Sequence, residues 1–350
     1  MIRAPLLITT LCRYEHFRQC VESLAQNEYA SETDLYIGLD YPLNEVHWTG
    51  YKKIREFIHS GIQGFANVYC IEQTENMGWY NNFLSVRERI YENYDCFIYS
   101  EDDNVFAHTF LEFMNGCLEK YKHDEEIYAI SGYCYPIPNF EFTGKVFASK
   151  LYFSASGYGV WKTKEDMMYS QITMDNFERL FNNRCYMKRL EKVSKNQFCN
   201  FVRGMMQYKS ELIKNQEVQK IDLSFGLQMF ALNKVMIMPC MSLVKNCGYD
   251  GSGENCGVIL YNDSDVVNHR NYNFFTQPID EKTNWSEISE VTQAERDEIN
   301  KDIDCFFKIP IVEYIRAKIC YVCIRLLGLE RVKSIVNDVL PKIRGFFHHG

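Results

Sequence analysis

Positive charge is in deficit in this chain: 38 Lys and Arg stand against 46 Asp and Glu, a formal net charge of −8. A protein that grips nucleic acid along its phosphates needs a basic face, so nucleic acid is excluded as the main partner. A single nucleotide needs only a local site and is not excluded. Long apolar runs are missing too. The first residues, Met-Ile-Arg-Ala-Pro, lead into an apolar segment of about eight residues, too short for a secretory or membrane segment. Zinc-finger spacing is absent, because Cys320 and Cys323 form a lone CxxC pair inside an apolar, helical stretch. Internal repeats and low-complexity tracts are lacking, so the chain does not read as a repeat array.

What is present is a large apolar stock. The composition is 46% hydrophobic, 15% aromatic and 24% charged, a globular balance that can bury a sizeable core. At 350 residues, one large α/β domain or one domain plus an appendage is expected. The 14 cysteines include Cys96, Cys240 and Cys320 inside apolar runs, where Cys behaves as a small hydrophobe. Reduced thiols in a cytoplasmic protein are expected rather than a disulfide framework.

The first hundred residues alternate between two patterns. Residues 4–10 are a continuous apolar run ending in Thr-Thr, as in a strand buried on both faces. Arg13 follows in a short loop, and residues 16–24 place Phe17, Cys20, Val21 and Leu24 on one helical face. Residues 35–39 read as a second buried strand, broken by Asp40-Tyr41-Pro42. Residues 53–59 read as helix and 68–71 as strand, followed by a loop through Asn76-Met77-Gly78 and a helix over 81–91. A fourth strand over 95–100 runs into Glu101-Asp102-Asp103. Strands alternating with helices over short connections imply right-handed βαβ units and a mostly parallel sheet covered by helices on both faces. Ligands of such sheets sit beyond the carboxyl ends of the strands. Thr9 to Arg13, Asp40 and Glu101 to Asp103 all fall there.

The second half is less regular. Residues 151–156 read as a strand followed by a Gly-Tyr-Gly-Val-Trp turn over 157–161, and residues 163–215 as polar helices with loops. A helix is expected over 223–233, a strand over 235–239, a glycine-rich loop over 247–256 and mostly loop over 262–305. In residues 308–350 eight Lys and Arg outnumber three Asp and Glu. There Ile311, Ile315, Ile319, Val322 and Leu326 recur at helical spacing among Arg316, Lys318 and Arg325. Two readings stand side by side: helices packed on the domain, or a basic amphipathic element resting on an anionic membrane surface.

Three adjacent carboxylates at a buried strand end repel one another and need a cation or hydrogen-bond donors. Hard oxygen ligands suit Mg2+ or Mn2+. Such an ion can bridge the phosphates of a sugar nucleotide and neutralise the charge that builds on the leaving diphosphate. The plain alternative is a solvated acidic turn capping the next helix. Asp40 can accept a hydrogen bond from a base or ribose, or simply form the turn before Pro42. Arg13 can stack on a base or pair with a phosphate, or start a helix at the surface. Asn76 and Gly78 precede a helix, where Gly78 allows close backbone approach, or form an ordinary loop. Tyr158 and Trp161 fit a sugar platform or core packing. Inverting transfer needs a base for the acceptor hydroxyl. Asp222, just before a helix, is the candidate, and a plain N-cap is its alternative.

With these motifs in this order, the sequence resembles the GT-A glycosyltransferases over roughly residues 4–256. Within them it looks most like the N-acetylglucosaminyltransferase I-like branch and bacterial surface-polysaccharide glycosyltransferases. Leu-Leu-Ile-Thr-Thr-Leu-Cys-Arg (6–13) is similar to the family's opening strand, whose arginine meets the nucleotide. Leu-Tyr-Ile-Gly-Leu-Asp (35–40) resembles the strand whose terminal Asp reads the base. Tyr-Ser-Glu-Asp-Asp (99–103) resembles the metal triplet, which implies that Asp103 binds the metal directly. Gly-Tyr-Gly-Val-Trp (157–161) resembles the turn near the donor sugar. Ile-Asp-Leu-Ser-Phe (221–225) sits where the family carries its catalytic carboxylate, which implies Asp222 as the base, although Ile221 replaces the aromatic or acidic neighbour of relatives. Where relatives place a His after the glycines of the later loop, this chain has Glu254-Asn255.

The resemblance implies an α/β fold of the GT-A type, Rossmann-like, with a mostly parallel central sheet, flanking helices and a C-terminal helical tail. The expected layout is a GT-A domain over 1–260, with a donor half over about 1–105 and an acceptor half over about 106–260. A loop-rich extension over 261–307 and a basic amphipathic tail over 308–350 would follow. The implied activity is that of a hexosyl- or N-acetylhexosaminyltransferase. It would use Mn2+ or Mg2+ to move a sugar from a UDP-sugar to a glycan or lipid-linked glycan acceptor, with inversion, in bacterial surface polysaccharide synthesis. The location implied is cytoplasmic, peripheral on the inner face of the membrane. Thr9, Arg13, Asp40, Asn76, Gly78, Glu101, Asp102 and Trp161 are expected to bind the nucleotide sugar, Asp103 the metal, and Asp222 to deprotonate the acceptor. Two other classes remain open. One is a non-catalytic nucleotide- or sugar-binding protein on the same scaffold. The other is a sugar nucleotidyltransferase, against which the lack of glycine in residues 8–14 counts. Retention instead of inversion also stays open.

Overall fold

The computed structural model describes residues 3–136, 140–207, 212–248, 250, 252–253 and 278–336. The first hundred residues supply β1 (Leu6–Thr10), α1 (Tyr14–Ala25), β2 (Asp34–Leu39), α2 (His47–His59), β3 (Asn67–Glu72), α3 (Gly78–Ile90) and β4 (Cys96–Glu101). β1 lies between β2 and β4 and is parallel to both, and β3 extends the sheet beyond β2. β1 is buried along its whole length, which is why it reads as an unbroken apolar run. Phe17, Cys20, Val21 and Leu24 of α1 are buried as its periodicity requires. Each large apolar side chain so buried contributes about 1.5–3 kcal/mol.

The chain continues through β5 (Asn104–Phe106), α4 (Phe110–Lys120), β6 (Ile127–Ser131), β7 (Lys145–Ser149), β8 (Tyr158–Trp161) and α5 (Lys162–Gln171). Next come α6 (Met174–Asn182), α7 (Arg184–Val193), α8 (Lys195–Met206), the short strands β9 (Ile213–Lys214) and β10 (Glu217–Val218), and α9 (Ile221–Leu232). The last described elements are β11 (Val235–Pro239), β12 (Val244–Asn246), β13 (Ser289–Glu290), α10 (Gln293–Phe306) and α11 (Ile311–Leu327). Among the described residues nine strands form one sheet in the order β13-β7-β11-β6-β8-β4-β1-β2-β3. β8 runs antiparallel to β4 and β6, and β7 antiparallel to β11; the other pairs are parallel. The protein is therefore an α/β protein with a large, mostly parallel central sheet and C-terminal helices.

Two compact units are formed, one within Met1–Met167 and Asn233–Phe306, the other within Met168–Leu232 and Phe307–Gly350. This division differs from a continuous domain over 1–260 with the appended segments 261–307 and 308–350, because β11 carries the chain back into the sheet between β6 and β7. Residues 293–306, expected as loop, form α10. Its Ile299 and Ile303, one turn apart, are fully buried, and Asn300 Nδ2 donates to the Ala148 carbonyl at 3.1 Å. Residues 261–277 and 337–350 lie outside the described residues.

Residues 151–156, expected as a strand, pair with no strand among the described residues. The strand is the Gly-Tyr-Gly-Val-Trp segment expected as a turn. Gly159 belongs inside it because the Met114 methyl would lie 2.8 Å from a Cβ at that position.

In the second unit three helices start at side-chain caps. Oxygens of Thr173, Asn183 and Ser194 accept the N–H groups of Asn176 (3.2 Å), Tyr186 (3.1 Å) and Gln197 (3.1 Å). Tyr314 and Tyr321 of α11 meet Phe198 of α8 at centroid distances of 6.4 and 5.6 Å. Among the described residues no helix is long and apolar enough to cross a membrane, and no disulfide forms.

Candidate functional site

Parallel pairing sets Thr9 opposite both Gly38 and Glu101, and Thr10 opposite Leu39, so β1, β2 and β4 end side by side. Two side chains from the end of β1 converge on the acidic triplet. Thr10 Oγ1 donates to Asp102 Oδ2 at 2.7 Å. Arg13, at the N-terminus of α1, places Nη1 2.9 Å from Asp103 Oδ2 and pairs through Nη2 with Asp102 Oδ1. The acid side chains are 6% and 9% exposed, so this is a buried cluster rather than a solvated turn. The triplet leads into β5, not into a helix, so it caps none.

The charges interact strongly. Burial opposes the Arg13 charge, but Asp102 and Asp103 outweigh it and hold the guanidinium above its usual pKa. Burial pushes the Asp102 carboxyl above the usual range, against the pull of Arg13 and with the repulsion of Asp103.

Asp103 is fixed from behind by the glycine-rich loop. Its carbonyl accepts the Cys247 N–H at 2.7 Å, where β5 and β12 pair with Asn104 opposite Asn246. Gly248 donates its N–H to Asn246 Oδ1 at 2.8 Å, and a Cβ on Gly248 would sit 2.1 Å from Asp103 Oδ2. Only a glycine lets the backbone pass so close to that carboxylate. His16 Nε2 lies 3.2 Å from Asp250 Oδ2 and ties the loop to α1. Glu254 and Asn255 lie outside the described residues. Among the described residues Asp103 Oδ1 is buried with no hydrogen-bond partner. An orphaned carboxylate oxygen is costly unless a donor or cation meets it.

A second cluster forms at the end of β2. Asp40 is buried, and its Oδ1 accepts the Met77 N–H at 2.8 Å. Asn76 Nδ2 donates to the Tyr41 carbonyl at 2.7 Å and reaches Asp40 Oδ2 at 3.3 Å. Gly78, with φ of +73°, turns the chain into α3. Asn82 Nδ2 of α3 donates to the Gly38 carbonyl at 3.0 Å, which seats the helix on β2. Asp40, Asn76 and Gly78 are thus brought together, with Asp40 Oδ1 engaged by backbone. The rings of Tyr41, Trp48 and Tyr51 pack edge to face beside them, 5.4 to 6.2 Å apart.

Thr9 Oγ1 lies 3.1 Å from the Tyr99 hydroxyl, and Glu101 closes β4, half-buried. Trp161 is not brought to this end. Antiparallel register sets it opposite Cys96, the first residue of β4, about 17 Å along the strand from Glu101. There it is buried with Lys164 Nζ 3.9 Å over its ring, the environment of a core residue. Asp222 is in the second unit, exposed in the first turn of α9. Thr10, Met77 and Gly248 were not singled out by sequence. The Cys-Gly loop was the one signal pointing to Gly248.

Among the described residues, no group of three or more His, Cys, Asp or Glu side chains is arranged to hold a metal ion. Asp103 Oδ1 offers one hard oxygen. That fits a cation that takes its remaining ligands from a bound diphosphate and water, the usual pattern for Mg2+ with phosphate ligands.

No protein-family model and no curated protein matches the sequence. Among solved structures, the chain is similar to a mannosyltransferase, PcManGT, from Pyrobaculum calidifontis in complex with GDP-Man and Mn2+. That match has a TM-score of 0.33 at 12% identity, over 46% of this chain and 45% of that one. S. aureus TarS 1–349 matches with a TM-score of 0.38 at 10% identity, over 69% of this chain and 59% of that one. A further S. aureus TarS structure matches with a TM-score of 0.38 at 10% identity, over 71% of this chain and 37% of that one. This chain therefore spans less than two thirds of each of these proteins.

Proposed function

We propose that this protein is a glycosyltransferase of the GT-A type, binding a nucleoside diphosphate sugar at the carboxyl ends of β1, β2 and β4. The observation that carries the reading is the pairing of Arg13 with buried Asp102 and Asp103, with Asp103 Oδ1 lacking a partner among the described residues. One guanidinium and two carboxylates leave an excess negative charge in a poorly hydrated place, which a cation relieves. In the proposal Asp103 holds Mn2+ or Mg2+ through Oδ1. When bound, the cation supplies charge to the diphosphate and stabilises it as a leaving group.

The chain's own residues do the rest. Arg13 turns part of its guanidinium to the diphosphate, for which its planar fork is suited. Thr10 keeps Asp102 in position, and Asp102 and Glu101 accept hydrogen bonds from ribose hydroxyls. Asp40 and Asn76 face the base, while the Met77 N–H holds the Asp40 carboxylate. Thr9 supports the floor of the site. Asp222 is the base that deprotonates the acceptor hydroxyl with inversion, a role that rests on sequence pattern. A UDP-sugar donor, hexosyl or N-acetylhexosaminyl transfer, and a glycan or lipid-linked acceptor in surface polysaccharide synthesis also rest on the resemblance. A cytoplasmic setting belongs to the same reading.

One observation favours a second reading, a non-catalytic nucleotide-binding protein. Arg13 already pairs with both carboxylates, so the cluster is partly neutralised without a cation. Thermal shift of the full chain across a panel of nucleoside diphosphates and their sugars, with and without Mn2+, separates the two. The glycosyltransferase reading expects stabilisation by one nucleotide class that depends on metal. Stabilisation independent of metal supports the second reading, and no response to any nucleotide removes both.

A further inference from the structure

We infer that the second unit carries a docking surface for an anionic phospholipid membrane, formed by the outer face of α11 and the groove beside it against α7. The surface begins with which side of α11 is used for packing. Tyr314, Tyr321 and Ile324 face inward, Tyr321 meeting Phe181 at 5.2 Å and Phe198 at 5.6 Å, and Ile324 being buried. The opposite face carries Ile311, Ile315, Ile319, Val322 and Leu326, at spacings of three and four residues, and these are between 46% and 79% exposed. Residues so spaced lie on one stripe of a helix. Seventeen residues make that stripe about 25 Å long. A contiguous aliphatic stripe of this size on a protein surface marks an interaction site.

Charge selects the partner. Beside the stripe, α7 and α11 enclose a groove of about 440 Å3 lined by Arg184, Lys188, Lys318 and Arg325 together with Tyr321 and Leu326. Glu191 also lines it, but that acid is paired with Lys318 and accepts the Tyr314 hydroxyl. Arg316, on the exposed side of α11, is paired with Glu313 at 2.8 Å, which leaves Arg184, Lys188 and Arg325 as the cations of the groove without an acidic partner among the described ion pairs. Cations therefore flank the aliphatic stripe, in a chain whose net charge is −8. A second copy of the chain placed face to face by a twofold axis would bring these cations together, which is unfavourable. An anionic bilayer accepts both features at once: Leu and Ile side chains enter the acyl boundary while Arg and Lys meet headgroup phosphates. The helix lies in the interface plane, in keeping with the lack of a described helix able to span a membrane.

Flotation of the full chain with phosphatidylcholine vesicles, with and without phosphatidylglycerol, tests this without any nucleotide and so stands apart from the proposed activity. The expected result is flotation with the anionic vesicles only, weakening as salt rises. Lys188→Gln and Arg325→Gln should each lower the partition constant about fivefold. Ile319→Glu with Leu326→Glu should lower it at least about tenfold. Because those side chains are exposed, the circular dichroism and melting temperature of the double variant should stay at wild-type values. No flotation with phosphatidylglycerol, or equal flotation with both vesicle types, overturns the proposal. So does a concentration-dependent dimer by light scattering that Ile319→Glu with Leu326→Glu dissolves.

Discussion

Arg13 and Asp103 form a partly buried ion pair, Nη1 to Oδ2 at 2.9 Å, joining the loop after β1 to the turn after β4. The residues are 90 positions apart in sequence, and parallel pairing of β1 with β4 brings their backbones together. The same guanidinium holds Asp102, so one side chain offsets the repulsion between two adjacent carboxylates.

Removing that side chain leaves two acids buried without their cation. Arg13→Ala is expected to lower stability by about 3 kcal/mol at neutral pH, read from the urea midpoint. Burial raises the Asp102 carboxyl, so protonation favours the folded form as the pH falls. The deficit should therefore shrink as the pH falls and Asp102 takes up a proton.

Glu165 gives a second pH dependence, away from the candidate site. It is fully buried, accepts the Tyr91 hydroxyl at 2.7 Å, and burial pushes its carboxyl up to about 7. A carboxyl raised in the folded state favours folding below its unfolded pKa, near 4.3, and that contribution is lost as pH rises through about 7. Glu165→Gln should remove this dependence. Its stability relative to wild type should improve by about 3 kcal/mol between pH 4 and 8 in guanidinium titrations.

Gly248→Ala tests the close approach of the loop to the acid. The new methyl carbon would stand 2.1 Å from Asp103 Oδ2, so the carboxylate or the loop must move. Nucleotide affinity in the presence of Mn2+ should fall at least about tenfold, since a displacement near 1 Å at a binding group carries such a cost. An affinity equal to wild type by calorimetry would remove Asp103 from the binding site.

Asp222→Asn separates binding from chemistry. As the proposed base, its loss should lower turnover of the donor by about a hundred- to ten-thousand-fold while leaving nucleotide affinity unchanged. Turnover at the wild-type rate would assign the base elsewhere.

The donor half was the legible part of the sequence. Leu6–Thr10, Leu35 to Leu39 and Phe97 to Ser100 are buried on both faces, so each reads as an apolar run with polar residues at its carboxyl end. β8 was hidden because Gly157 and Gly159 look like turn residues, whereas Gly159 makes room for Met114. Trp161 was misplaced for a related reason: a motif names a residue, but only the register with Cys96 says at which end of the sheet it lies. The cage around Asp40 depends on an N–H 37 residues away, that of Met77, and such a contact leaves no local pattern. α10 was obscured by its polarity, since only Ile299 and Ile303 face inward.

The central claim is that Asp103 couples a divalent cation to a nucleoside diphosphate, and calorimetric titration of UDP into wild type and Asp103→Asn, with Mn2+ or with EDTA, tests it most directly. The account predicts that EDTA weakens binding to wild type at least about tenfold, that Asp103→Asn in Mn2+ binds as weakly, and that EDTA has no further effect on the variant. Equal affinity in all four titrations would contradict it.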